Sequence, residues 1–266
     1  MVASKELTDD VRLAHVMADD ADSISMSRFK AQDLRTKTKP DSTPVTEADT
    51  AVEESIRRTL SRTRPRDAVH GEELQDTGES NRRWIIDPID GTANYLRGVP
   101  VWATLIALEI DGQIASVVSA PALGRRWWAS LGGGAYTGRS ILSATQIHTS
   151  RVSQLSDASL SYASINGWVE SGRGQGFVDL MRECWRSRGY GDFWSYMLVA
   201  EGAVDIACEP ELALYDMAAL DIIVREAGGR FTSIDGEPGP YHGNALATNG
   251  LLHDIVLERL RPSKAG

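Results

Sequence analysis

Asp87 and Asp90 flank Pro88-Ile89 in the stretch WIIDPIDGTANY, residues 84–95. Trp84, Ile85 and Ile86 run straight into the first acid, so an apolar strand delivers both carboxylates to its end, at a rim where loops build sites. Pro88 fixes a backbone dihedral and stiffens the turn. Gly91 permits close backbone approach, and the residues after it can open a helix whose N-terminus attracts an anion. Two carboxylates beside such a turn would repel a phosphate, and a divalent cation bridging them removes the conflict. The plainer alternative is that the aspartates cap the turn and the helix. A calcium EF-hand is excluded, because DPIDGTANYLRG has neither the alternating acid spacing nor the distal glutamate.

Other acids stand where they could join this pair. Glu72-Glu73 follow VHG at the end of a second strand, Asp49 lies in the first turn of a helix after PVT, and Asp216 opens the helix YDMAALDIIV. Ala218 and Ala219 let that last helix pack closely on a sheet. A solvated pair at Glu72-Glu73 and an N-cap at Asp216 are the bland alternatives. Oxygen donors without His or Cys select Mg²⁺, Mn²⁺ or Ca²⁺.

The elements that must position these acids follow from hydrophobic period. Helical spacing runs from Asp9 to Phe29, a breaker-rich loop follows at KTKPDSTP, and Thr46 is a plausible N-cap for a helix through Thr63. AVHGEE and RRWIID read as strands. Residues 101–121 form a hairpin turned at Asp111-Gly112, and RRWWAS with GAYTG a second pair. The half spanning 1–145 is thus two helices and a mostly antiparallel sheet that carries the main acids.

In the half spanning 146–266, strands (ASLSYAS, VDIACE, NALATNG) alternate with helices (GQGFVDLMRECWRS, YMLVAEGA, YDMAALDIIVREAGG, LLHDIVLERL), as in an α/β layer. SGRGQG reads as a flexible loop; no strand precedes it, so it is not a dinucleotide fingerprint.

Composition excludes several classes. The 266 residues suffice for a sizeable core, and a formal charge of −9 makes nucleic acid and anionic membranes poor partners. Cys184 and Cys208 form no metal or disulfide pattern, and the five histidines lack ligand spacing. No apolar run has signal-peptide character or approaches the roughly 20 residues needed to span a bilayer. A cytoplasmic enzyme is the expectation.

GEE, WIIDPIDGT and YDMAALD, in that order, with KPDSTPVTEAD upstream, resemble the motifs of the inositol monophosphatase-like superfamily over nearly the whole chain. Tyr215 replaces the tryptophan usual before the last aspartate. The resemblance implies a layered α-β-α-β-α sandwich (an α/β, or α+β, fold), a lithium-sensitive metal-dependent phosphatase, and a homodimer. It implies two or three Mg²⁺ per site, with Mn²⁺ a possible substitute. Glu72, Asp87 and the Ile89 carbonyl would hold the first ion, and Asp87, Asp90 and Asp216 the second. A weaker third would sit near Glu72 or Glu73. Gly91 and Thr92 amides would take the phosphate, and Asp49 with Thr92 would orient the attacking water, with Glu72 beside them in the catalytic set.

The substrate group is suggested by the stretch from Arg188 to Glu209. Gly191-Asp192-Phe193 with Tyr196, together with APALGRRWWAS, resembles the histidinol-phosphate phosphatase branch. Histidinol phosphate carries an ammonium and an imidazole. Asp192 and Glu209 could bind them by charge-assisted hydrogen bonds, while Phe193 or Trp194 could stack on ring or cation. Asn94 and Gly191 complete the expected pocket. Asp192 could instead cap a helix and Glu209 be a solvated loop acid. Arg188 could orient Asp192, touch the substrate or form a structural ion pair. An inositol-1-phosphate phosphatase and a catalytically silent metal-binding regulator on the same fold are the competing expectations.

Overall fold

A computed structural model describes residues 5–38 and 44–261. Helix α1 (Lys5–Arg28) extends the helical reading toward the N-terminus and buries Ala14, Met17, Ala18 and Ala21. The breaker-rich loop becomes a short antiparallel pair, β1 (Thr36–Thr38) and β2 (Pro44–Thr46), either side of residues 39–43, which lie outside the described residues. Lys39 and Pro40 of the KPDSTPVTEAD motif fall there. Thr46 caps α2 (Glu47–Thr63): its hydroxyl accepts from the Ala48 and Asp49 amides while Asp49 accepts from the Thr46 amide at 2.9 Å, a reciprocal capping box.

Seven strands make the first sheet: β3 (Ala68–Gly71), β4 (Arg82–Asp90), β5 (Ala103–Ile110), β6 (Gln113–Ala120), β7 (Arg125–Ser130), β8 (Gly134–Thr137) and β9 (Thr145–Ile147), with helix α3 (Thr92–Arg97) after β4. They pair in sequence order, antiparallel except for β3 with β4. The hairpin turn has φ 52° at Asp111 and 119° at Gly112, as its Asp-Gly pair predicts.

The second sheet holds β10 (Ser159–Ser161), β11 (Arg186–Arg188), β12 (Ile206–Glu209), β13 (Arg230–Thr232) and β14 (Ala245–Thr248), in the order β11-β10-β12-β14-β13. Its helices are α4 (Asn166–Glu170), α5 (Gly174–Glu183), α6 (Asp192–Ala200), α7 (Leu214–Glu226) and α8 (His253–Leu260). Two boundaries differ from the periodicity. The helix from Gly174 stops at Glu183, and Arg186–Arg188 pairs in parallel with β10 as an edge strand. Helix α6 begins four residues before Tyr196, at Asp192.

Three apolar clusters define five layers. Val52, Ile56 and Leu60 of α2 join the α1 residues against Trp84, Ile86 and Ile106 on one face of the first sheet. On its other face, Met217, Leu220 and Val224 of α7 pack with Leu105 and Val118, and also with Ala207, Ala245 and Ala247 of the second sheet. Trp168, Phe177, Leu180 and Val256 cover the second sheet's outside. The result is the α-β-α-β-α sandwich. The chain passes from one sheet to the other between Ile147 and Ser159, but α7 binds both halves into a shared core.

Candidate active site

Asp87 and Asp90 are three residues apart, so an even strand would turn them to opposite faces. Strand β4 is irregular there. Asp87 pairs with Leu105 and Asp90 with Ala103, so Pro88 and Ile89 oppose Thr104 alone. This bulge, held by the Thr104 hydroxyl donating to Pro88 O at 2.8 Å, turns both acids to one side. Asp216 comes from the first turn of α7, where one of its oxygens accepts from Ala213 N at 2.7 Å. One carboxylate oxygen each from Asp87, Asp90 and Asp216 lie within 4.8 Å of one another.

This cluster is electrostatically unfavourable by itself. Asp87 is buried and its Oδ1 has no hydrogen-bond partner. Burial, then Glu72, Asp90 and Asp216, raise its carboxyl well above the usual range. Asp90 is raised by burial, then by Asp192 and Asp216, and eased by the Phe193 amide, which donates to it at 2.7 Å. Burial lifts Asp216 to about 6. The strongest charges acting on Asp87 are all carboxylates. A divalent cation that prefers oxygen donors fits this set, and it would occupy the free Asp87 oxygen. Glu72 flanks Asp87, because its amide donates to Ile86 O at 3.2 Å and continues the β3–β4 ladder. Glu73 follows, its amide held by Glu53 on α2 at 2.8 Å.

Asp49 is fully buried at the start of α2, with burial raising its carboxyl. The Thr92 hydroxyl lies 3.2 Å from Asp49 Oδ1 and 3.0 Å from Ile89 O. Gly91 caps α3 in the left-handed region at φ 84°, and a Cβ there would stand 2.9 Å from Val101 O. Glycine is required on both counts.

Over Gly91 sits Asp192, itself left-handed at φ 48° and lifted by burial to about 6. Asn94 Nδ2 donates to Asp192 Oδ2 at 2.6 Å and to Val101 O at 3.0 Å, so both its protons are committed within the protein. Gly191, at φ 84°, lets the chain turn into α6. Glu209, at the end of β12, is buried rather than a solvated loop acid. Its Oε1 lacks a partner, and burial, then Asp192 and Asp216, push its carboxyl well up. The Tyr196 hydroxyl, also buried without a partner, completes this second acidic group.

Two expected roles do not match the geometry. The Phe193 side chain is fully buried, edge-on to Trp127 at 6.0 Å, so it cannot stack on a ligand; its amide serves Asp90 instead. Arg188 is exposed and donates to Ser187 O at 2.7 Å, while Asp192 is oriented by Asn94. Trp194 is partly buried and edge-on to Tyr190. Sequence reasoning placed Asn94 in the pocket without its bond to Asp192, and passed over Glu53 as one acid among several on α2.

The model of the inositol monophosphatase family matches residues 7–264. The chain belongs to that family. A histidinol-phosphatase of Streptomyces coelicolor is 63% identical over 254 residues, covering 94% of this chain and 96% of the relative. One of Mycobacterium tuberculosis is 57% identical, covering 95% and 98%. Among solved structures, the extragenic suppressor protein suhB of Bartonella henselae superposes with a TM-score of 0.87 at 28% identity, covering 96% of this chain and 98% of that one. Family membership carries metal dependence with it, in agreement with the acid cluster.

Proposed function

We propose that this protein is a Mg²⁺-dependent phosphomonoesterase that hydrolyses L-histidinol phosphate to L-histidinol and inorganic phosphate, a step of histidine biosynthesis. The observation that carries the substrate is the second acidic group, half-buried Asp192 and buried Glu209, next to the metal acids in a chain whose relatives at 63% and 57% identity are named histidinol-phosphatases. Two carboxylates drawn largely out of water are costly beside a neutral alcohol and favourable beside an ammonium and an imidazole.

Glu72, Asp87, Asp90, Asp216 and the Ile89 carbonyl would hold the cations, with Glu73 near a third. Held there, Mg²⁺ would supply Lewis-acid chemistry: a more acidic water and neutralisation of charge on the phosphoryl group. The amides of Gly91 and Thr92, at the start of α3, would take the phosphate. Thr92 donates its hydroxyl proton to Asp49, which leaves its lone pairs to accept from the attacking water. Raised by burial, Asp49 is a better proton acceptor than an exposed carboxylate. Asp192, fixed by Asn94, and Glu209 bind the cationic end of the substrate and leave the phosphorus untouched.

Two or three ions per site, Mn²⁺ as a substitute, inhibition by lithium, a homodimer and a cytoplasmic setting belong to the same reading. Among the described residues no helix is long and apolar enough to cross a membrane. The test is phosphate release from histidinol phosphate, inositol 1-phosphate, fructose 1,6-bisphosphate and 3′-phosphoadenosine 5′-phosphate, with and without Mg²⁺. The reading requires the highest kcat/KM on the first and no release without metal. Preference for inositol 1-phosphate would overturn the substrate, and no release from any would overturn the enzyme.

A further inference from the structure

Behind the metal acids, α2 presses a fully buried carboxylate, Glu53, against the turn that carries Glu72 and Glu73. Glu53 Oε1 accepts from Arg57 Nε at 2.7 Å and Oε2 from the Glu73 amide at 2.8 Å. The rest of the Arg57 guanidinium reaches Leu74 O at 3.1 Å and the Thr77 hydroxyl at 3.2 Å. Contact with Gly71 is so close that a Cβ there would lie 2.0 Å from Glu53 Oε1. Gly71 has no left-handed backbone, so what demands glycine is the carboxylate.

We infer that Glu53, braced by Arg57, is a positioning residue for the cation site. The Glu72 amide is tied to β4 through Ile86 O, and the next amide is tied to α2 through Glu53. These two bonds fix the backbone on both sides of the Glu72 side chain and set its place beside Asp87. An i,i+4 ion pair on a surface helix contributes little to stability. Here the carboxylate is wholly buried and one oxygen serves a neighbouring turn, an arrangement that apolar packing could not supply. Hydrogen bonds made to the groups around a metal's ligands tune its affinity, and their loss costs about 10–100-fold in binding or activity.

This inference rests on the cation site proposed above. Its test is direct binding of Mg²⁺ by calorimetry and of Mn²⁺ by paramagnetic resonance, with the metal-free full-length protein and its Glu53→Gln and Arg57→Gln variants. Both variants should bind the ions about 10–100-fold more weakly, while kcat recovers at saturating Mg²⁺ and the ratio of kcat/KM between histidinol phosphate and glycerol 2-phosphate stays the same. Gly71→Ala should weaken binding too, but add nothing in a Glu53→Ala background, where the space is open. Arg57 is partly exposed, so Arg57→Gln carries the test if Glu53→Gln does not fold. Folded variants that bind both ions as tightly as the wild type would overturn the inference alone. A wild type that binds neither ion would remove the cation site itself.

Discussion

Asp10 on α1 and Asp87 on β4 are each 1% exposed, and their surroundings are opposite. Asp10 receives Arg64 at 2.8 Å and Arg82 at 3.0 Å; Arg82 reaches on to Asp67, which also accepts from Trp84 Nε1 at 2.9 Å. Every carboxylate oxygen in that group has a donor. Asp87 faces Glu72, Asp90 and Asp216, and its Oδ1 has no donor. Taking an ion out of water costs several kcal/mol unless a partner offsets it. The first group supplies its own partners and joins α1 to the first sheet. The second has no such partner for Asp87 among the described residues, and in the proposed reading a cation from solution supplies the offset, as expected of a site built for binding rather than for stability.

Removing the central charge should sharpen this contrast most. Asp87→Asn should lower kcat on histidinol phosphate by about 10³-fold or more at saturating Mg²⁺, as for other losses of central electrostatic stabilisation. The metal-free variant should melt no lower than the wild type, since a repulsive charge is gone. Near-normal turnover would contradict the assignment. At the other group the same change should do the reverse. Asp10→Asn keeps one acceptor oxygen but turns an amide toward the other guanidinium, and should cost about 1.5–3 kcal/mol in urea unfolding, with kcat of the folded protein unchanged.

The next effect concerns specificity. Asp192→Asn keeps shape and removes charge. A charge-assisted hydrogen bond contributes about 1.5–3 kcal/mol, so kcat/KM for histidinol phosphate should fall about 10–150-fold, while glycerol 2-phosphate is hydrolysed as before. Proportional losses on both substrates would make Asp192 structural.

The smallest effect is on pH. In the metal-free fold Asp192 and Asp216 are raised from 3.8 to about 6, so their contribution to stability is full below 3.8 and lost as pH rises through about 6. Mg²⁺ bound by ionised Asp216 with Asp87 and Asp90 would reverse the Asp216 share of that loss, while the Asp192 share is the same with and without the ion and cancels from the difference. The rise in Tm on adding Mg²⁺ should therefore be larger at pH 7.5 than at pH 5.5. Burial lowers His15 and His253 from 6.5 to about 4, so their contribution is present above 6.5 and fades as pH falls toward 4. It does so with or without Mg²⁺ and cancels from the difference. An equal Mg²⁺ increment at both pH values would contradict the linkage.

The acids that cluster at the proposed cation site were legible as candidates because their signals are local: an apolar strand into DPIDG, an acid after a strand, an acid in a helix's first turn. The Thr46–Asp49 cap was legible for the same reason. What escaped is set by tertiary contact. Periodicity cannot show that α6 starts at Asp192, because a left-handed aspartate is held there by Asn94, 98 residues earlier in the chain. Arg186–Arg188 looks like the polar end of a helix until β10 offers it a ladder. Phe193 carries an aromatic's usual promise of stacking, and only its place against Trp127 withdraws it. Glu53 reads as a solvent-facing helix acid until the turn at Gly71 closes over it.

The most direct measurement is anomalous diffraction from crystals soaked in Mn²⁺ and inorganic phosphate. The account predicts peaks at coordination distance from Asp87, Asp90 and Asp216, one of them on Asp87 Oδ1, and none between Asp10 and Asp67. No peak at Asp87, with its carboxyl instead hydrogen-bonded to Glu72 or Asp216, would contradict it.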